Sequence, residues 1–480
     1  MSESKRVLSN FIWKILECFG AQGVTLIVSI ILARMLDPSV YGTIALITVF
    51  TSILSVFIDS GLGTALIQKK DADDLDFSSV FWFNIFMCLF LYCLMFFAAP
   101  AVAIFYNNPD LILVIRILSL VLILSGIRNI QQAYISKQMM FKKFFFSTLG
   151  GTLVAAVVGI TMAYKGYGIW ALVSQYLFNS LIDTVILWIT VDWHPKFIFS
   201  YNRFKKLFAY GWKMLLSSCI DTSYRQLRSL IIGKFYSSSE LAYYTKGDQL
   251  PKLAVDNIDS SMNSVLLPML SEKQNDIKAV KSATRRVIRL SSFFIWPMMV
   301  GLCVIADKLV LVLYTDKWSP AILYLRILCF SQVLQPLQTT NLNVIKALGR
   351  SDLFLKLEII KKTIAISIVI VSAFSGVKLI AIGSAIYTII ASILNSYPNK
   401  KLINYSYIEQ LLDILPYILM SAVMAIIVYC VGLISIPIGL SLVLQIVAGI
   451  LIYLLLSVIM NKDEMASFIK AATGIVHKEP

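Results

Sequence analysis

Apolar stretches of roughly 20 to 30 residues recur from one end of this sequence to the other, and each is long enough to cross a hydrocarbon core of ~30 Å at ~1.5 Å of rise per residue. No soluble domain hides that much apolar surface from water. Of the 480 residues 58% are apolar and 14% charged, well above and below the shares of soluble proteins. The expected solvent is lipid and the expected class is an all-α membrane protein. Reading apolar runs against polar breaks gives about fourteen spans, near 7–36, 39–67, 79–106, 109–136, 144–164, 168–191 and 207–235. The series continues near 239–269, 286–314, 319–347, 354–375, 378–398, 410–432 and 436–460.

The net charge of +15 falls in alternate loops. Lys69 and Lys70, Lys137, Lys142 and Lys143, then Lys196, Arg203, Lys205 and Lys206 share one side with Lys273 to Arg289, Lys346, Arg350, Lys400 and Lys401. The intervening loops, such as Asp37-Pro38-Ser39 and Asn107-Asn108-Pro109, are nearly bare of cations. The positive-inside rule then puts both termini in the cytoplasm. The basic excess faces anionic headgroups, which removes the main support for nucleic-acid binding. The first run follows Lys5 and Arg6 but is too long for a cleaved signal core, so it reads as a first helix. Residues 461–480 place Met465, Phe468, Ile469, Ala472 and Val476 at helical spacing, as in a short interfacial helix. The seven cysteines lie in apolar runs without paired spacing and are expected as small core residues. Neither His194 nor His477 has a second ligand at metal-binding spacing, so no metal and no cofactor is expected.

Sliding the sequence on itself by about 200 residues brings landmarks into register. Trp13-Lys14-Ile15-Leu16 falls on Trp212-Lys213-Met214-Leu215, Ile31 to Arg34 on Ile231 to Lys234, Tyr106 on Tyr314, and Ile115-Arg116-Ile117-Leu118 on Leu325-Arg326-Ile327-Leu328. A repeat of six helices has an even number, so the halves share one orientation. The expected architecture is two pseudo-symmetric six-helix lobes as parallel repeats, 1–200 and 201–405, with two appended helices in 406–460. Such lobes suit alternating access around a site at mid-depth.

A charge at the bilayer centre costs ~2.5–3.5 kcal/mol on insertion scales and normally faces protein or a wet cavity. Asp221, Arg225 and Arg228 share one face of the seventh span, four and three residues apart. Lys252, Asp256, Asp259 and Asn263 form a stripe in the eighth, with Lys246, Asp248 and Gln249 nearer its outer end. Arg116 and Arg128, Lys14 with its repeat partner Lys213, and Arg326 add positive charge. Gln335, Gln338, Thr339, Thr340, Asn341 and Asn343 make part of the tenth span too polar for lipid, and a hydrated interior is the economical expectation. An excess of cations there attracts an anionic substrate, and arginine binds phosphate through paired hydrogen bonds. The alternative is that Asp221 with Arg225, and Lys252 with Asp256, are buried pairs locking helices together, while Lys14, Lys213 and Arg128 snorkel. Asp59 is placed to cap or hinge the turn at Gly61 and Gly63, and Asp59, Asp256 or Asp259 is placed to carry a coupling proton or to gate.

No phosphate-loop motif and no large soluble segment is present, which excludes a nucleotide-hydrolysing drive, and the loops leave no room for glycosyltransferase chemistry. Leu32-Ala33-Arg34-Met35-Leu36-Asp37-Pro38-Ser39-Val40-Tyr41-Gly42 and Asp59 to Gln68 resemble the polysaccharide flippases of the multidrug/oligosaccharidyl-lipid/polysaccharide exporter superfamily. Leu241 to Leu250, Leu266 to Ser271 and Tyr314 to Pro320 extend the likeness over nearly the whole chain, nearest to the colanic-acid-exporter branch. There Lys246-Gly247 is often Arg-Ala, which keeps the charge. The resemblance implies a fourteen-helix, two-lobed transporter, not an enzyme. Its implied cargo is undecaprenyl-diphosphate-linked oligosaccharide for O-antigen, capsule or exopolysaccharide assembly, with membrane lipids and polymerase machinery as partners and no nucleotide. The rivals are a cation-coupled multidrug exporter of the same superfamily, a membrane glycosyltransferase or ligase, and a flippase of the peptidoglycan precursor.

Overall fold

The computed structural model describes residues 20–59, 61–69 and 71–460, and the regular structure among them is helical. Lys14 and the tail after Met460 lie outside the described residues, as do the side chains of Asp59 and Lys213. The chain divides into two compact units between Ala242 and Tyr243. The first unit holds α1 (Gly20–Met35), α2 (Pro38–Asp59), α3 (Leu62–Gln68), α4 (Asp74–Phe105), α5 (Leu111–Leu118), α6 (Leu120–Gln138), α7 (Phe141–Tyr164), α8 (Ile169–Thr190) and α9 (Tyr201–Phe235). The second holds most of α10 (Ser238–Glu272), then α11 (Ile277–Tyr314), α12 (Ala321–Gln332), α13 (Gln335–Ala347), α14 (Ser351–Ala373), α15 (Val377–Leu402), α16 (Tyr407–Gly432) and α17 (Ile438–Met460). Nine helical segments among the described residues are long and apolar enough to cross a membrane. Of the other expected spans, α9, α10 and α14 are too polar to count among them, and α12 with α13 is rich in amides.

Local chemistry explains the first unit. Asp73 caps α4 in a reciprocal box with Asp76, which satisfies two free N–H groups of the first turn. Gly151, Ala155, Gly159 and Ala163 put a small residue every four positions along α7, so α8 lies close against it. A Cβ at Gly151 would stand 2.8 Å from the Asn179 carbonyl oxygen. The turn expected after Asp59 is made at Gly61, whose φ of +90° suits glycine. There the backbone touches Gly211 of α9, and a Cβ at Gly211 would sit 2.9 Å from the Gly61 carbonyl carbon. Leu32, Ile47, Leu111, Ile115 and Leu122 lie in one core of this unit, and Leu66, Phe81, Ile130 and Leu187 in another.

At two prolines within helices, side chains serve the carbonyl that the proline leaves without a donor. Pro100 within α4 has no N–H for the Phe96 carbonyl, and Arg116 of α5 donates its Nε to that oxygen at 3.3 Å. Pro297 within α11 leaves the Phe293 carbonyl in the same condition, and the Tyr453 hydroxyl of α17 donates to it at 2.8 Å. In lipid no water supplies those bonds. Several local geometries recur between the units. Tyr106 and Tyr314 each precede a residue with positive φ, Asn107 at 52° and Thr315 at 78°. Arg326 donates its Nε to the Cys303 carbonyl at 3.3 Å, as Arg116 does to Phe96.

The cysteines depart from the core expectation. Cys88 and Cys329 are buried, whereas Cys93 and Cys430 are exposed and Cys219 and Cys303 half-buried. An apolar run in lipid has no need to bury a thiol, so membership of the run did not specify burial.

Candidate functional site

α9 and α10 each have 35 residues, ~52 Å of helix at ~1.5 Å per residue. Both have the length to cross a bilayer and too much charge to face lipid all round. From Trp212 to Ile231 no described side chain of α9 is buried, and the same holds in α10 between Val255 and Leu266. Asp221 and Arg225 pair at 2.8 Å, one turn apart, with 41% and 69% of their side chains exposed. They are therefore not a buried lock. An exposed pair adds little stability, and one carboxylate leaves donors of a guanidinium available to another acceptor. Arg228, on the same face, is half-buried and also has an interaction of its own.

In α10, Lys252 and Asp256 are exposed, so they too are not a buried pair. Asp259 is half-buried and accepts a hydrogen bond from the Thr339 hydroxyl at 2.5 Å, while Asn343 donates to Asn263 at 2.5 Å. Asp248 accepts from Gln332 at 3.3 Å. These three bonds join α10 to the consecutive helices α12 and α13.

Other expected cavity cations are engaged within their own units. Arg116 also stacks 4.2 Å over the Phe96 ring. Arg128 of α6 pairs with Asp183 of α8 at 2.6 Å, and the Asp183 side chain is 6% exposed. Arg326 pairs with Asp307 at 2.6 Å. Lys246 is 6% exposed, its ammonium 3.1 Å from the Gln249 side-chain oxygen and 5.3 and 5.9 Å from the rings of Tyr314 and Trp318.

The amides of α13 correct the expectation of a hydrated surface there. Gln338, Thr340, Asn341 and Asn343 are buried. Asn341 donates to the Gln410 side-chain oxygen at 2.8 Å, Asn399 donates to Asn341 Oδ1 at 2.6 Å, and Ser396 donates to the same Gln410 oxygen at 3.0 Å. Partners on α15 and α16 replace water, so polarity alone did not distinguish a wet face from a bonded one.

Several polar residues were missed in the sequence. Asp183, Asp307 and Tyr453 complete the contacts above. Asp413 of α16 is held by Arg285 at 2.6 Å, Arg289 at 2.5 Å and the Tyr405 hydroxyl at 2.7 Å. Lys308 donates to the Gly432 carbonyl at 2.6 Å, where α16 ends. Lys361, 5% exposed, pairs with Glu358 one turn away. The available signal was an acid or a proline inside an apolar span, with an Arg, Lys or Tyr on a neighbouring span.

The chain is 24% identical over 347 residues to the succinoglycan biosynthesis transport protein ExoT of Rhizobium meliloti (strain 1021), across 72% of this chain and 70% of that protein. It is 22% identical over 429 residues to the lipopolysaccharide biosynthesis protein WzxC of Escherichia coli (strain K12), across 87% and 86%. It is 23% identical over 359 residues to the teichuronic acid biosynthesis protein TuaB of Bacillus subtilis (strain 168), across 73% of each. Among solved structures, the lipid II flippase MurJ in an inward closed conformation matches 95% of this chain and 100% of its own, at a TM-score of 0.76 and 15% identity. An inward-facing multidrug resistance MATE family transporter of the MOP superfamily matches 82% and 98%, at a TM-score of 0.61 and 14% identity. Residues 31–323 match the family described as "Polysaccharide biosynthesis protein". That match spans more than half of the chain, and this multi-pass helical membrane protein therefore belongs to the polysaccharide biosynthesis family and has the transporter fold that MurJ and MATE share.

Proposed function

We propose that this protein moves undecaprenyl-diphosphate-linked oligosaccharide repeat units from the cytoplasmic to the periplasmic leaflet of a bacterial inner membrane, for assembly of a surface polysaccharide. The reading takes both termini as cytoplasmic and the fold as fourteen spans in two pseudo-symmetric six-helix lobes with two appended helices. Relatives described by succinoglycan transport and lipopolysaccharide synthesis support the substrate class. The single observation that carries the mechanism is the unburied middle of α9, where Arg225 stands 69% exposed on a helix too polar to face lipid all round. Arg225 and Arg228 bind the diphosphate through charge-assisted hydrogen bonds. The polyprenyl chain stays in lipid while the lobes alternate in access. Outward movement of negative charge is favoured by an inside-negative potential, ~2.3 kcal/mol per charge per 100 mV. Asp59, Asp256 and Asp259 are the candidates for coupling or gating.

The deciding experiment follows leaflet exchange of defined lipid-linked oligosaccharides in liposomes containing the purified protein. Exchange is expected with the native chain and lost with Arg225→Ala/Arg228→Ala, while that variant inserts normally. Unimpaired exchange by the double variant removes the site assignment. The likeness to a MATE transporter favours a second reading, a cation-coupled drug exporter. A drug-resistance phenotype on deletion, with polysaccharide export intact, would establish it instead.

A further inference from the structure

The segment between α8 and α9 carries a surface that the transport reading does not use. Residues 193–206 contain Lys196, Arg203, Lys205 and Lys206 and no acidic residue, and of these cations Lys196 and Arg203 pair with Asp74 and Asp73 at the start of α4. Trp193, 6% exposed, fixes one end among Phe77 and Tyr134. The next residues are stitched to the first turns of α4. The Lys196 N–H donates to Ser78 Oγ at 3.1 Å, the Ser200 N–H to Ser79 Oγ at 2.9 Å, and Trp82 Nε1 to the Lys196 carbonyl at 2.8 Å. Phe197 and Phe199 lie in this connection and Tyr201 is the first residue of α9. They are 91%, 52% and 65% exposed. Phe197 stacks on Trp82 with centroids 4.8 Å apart.

The aromatic row continues two apolar surfaces. Phe208, Trp212, Leu216 and Ile220, four residues apart along α9, are 40% to 53% exposed, and Phe86 and Phe90 on α4 are 67% and 54% exposed. Beside the row Lys205 and Lys206 are exposed, and no partner of either is found among the described residues. A pinned row of rings at the end of helices with exposed apolar faces, flanked by exposed cations, matches the chemistry of the headgroup zone. We propose that residues 197–201 insert three aromatic rings into the headgroup zone of an anionic leaflet, where Lys205 and Lys206 bind lipid phosphates. The side of the membrane rests on the orientation given above, but the contact itself does not depend on transport.

The test places p-benzoylphenylalanine at Phe197 or Tyr201 of the full chain, with exposed Phe86 of α4 as a control, and reads the mass of the photoadducts. In vesicles the expected product at both positions is a phospholipid adduct. Its yield should be at least about threefold higher in phosphatidylglycerol than in phosphatidylcholine. Lys205→Ala/Lys206→Ala should abolish that preference and leave the Phe86 adduct unchanged. In bacterial membranes, adducts confined to another protein or to a second copy of this chain would overturn the proposal. Equal yields in the two lipids would also overturn it, as would no lipid adduct at 197 and 201 while Phe86 gives one. Leaflet exchange of oligosaccharide is scored separately, so failure of this contact and failure of the transport reading are told apart.

Discussion

The guanidinium of Arg116 lies 4.2 Å over the Phe96 ring and donates its Nε to the Phe96 carbonyl, the oxygen that Pro100 leaves without a helical partner. This intramembrane arginine thus completes a hydrogen-bond ladder. Arg116→Leu should destabilise the protein by ~1–3 kcal/mol, the cost of an unmade buried bond. Pro100→Ala restores an N–H at that position, so Arg116→Leu should cost less in that background. Thermal unfolding of the four variants in detergent measures the coupling; additive effects would dismiss the arrangement.

Tyr453→Phe provides the same check on the second unit. Removing the hydroxyl that serves the Phe293 carbonyl should cost ~1–2 kcal/mol, and Pro297→Ala should recover part of it. The readout is again the melting temperature across a double-mutant cycle.

Arg128 and Asp183 are held as a pair 55 residues apart in sequence. Arg128→Leu alone should destabilise by roughly 3 kcal/mol, because it leaves the buried Asp183 carboxylate unpaired, and Asp183→Leu by less, because Arg128 is only half-buried. The double Leu variant should be the milder lesion. If Arg128→Leu leaves stability intact yet stops transport, the pair is not what the residue is for.

Acid tests the loop before α4. The hydrogen bond from Arg203 is the largest cause holding the Asp73 carboxyl at about 2, below its ordinary 3.8. A folded-state pKa below the unfolded one gives stability that is complete above about pH 4 and lost as pH falls toward about 2. Both side chains are half exposed, so the effect is small. Titration of Asp73 in Arg203→Gln should move back toward 3.8, as read by hydrogen exchange of the first turn of α4.

Much of the fold was legible because lipid demands long apolar runs and their ends are polar. The α9 cluster was legible as well, since Asp221, Arg225 and Arg228 are near neighbours in sequence. Pairings across distance were not. Arg128 gives no sign that its partner is Asp183, and the amides of α13 do not announce that Gln410, 69 residues beyond Asn341, will occupy them. A polar residue in a span has two outlets, water and another helix. Choosing between them requires the neighbours that folding brings together.

The amide network around Asn341 bears on how the chain is made. Asn399 and Ser396 reach the membrane on α15 before α16 exists, and Gln410, which bonds Asn341 and Ser396, is not yet translated. Before the sixteenth helix follows, Asn399 and Ser396 already have Asn341 of the thirteenth as a partner, and only the Gln410 side chain is still missing from the network. A chain stopped after Leu402 lacks the Gln410 contacts to Asn341 and Ser396, and its remaining helices should pack less stably than in the full chain.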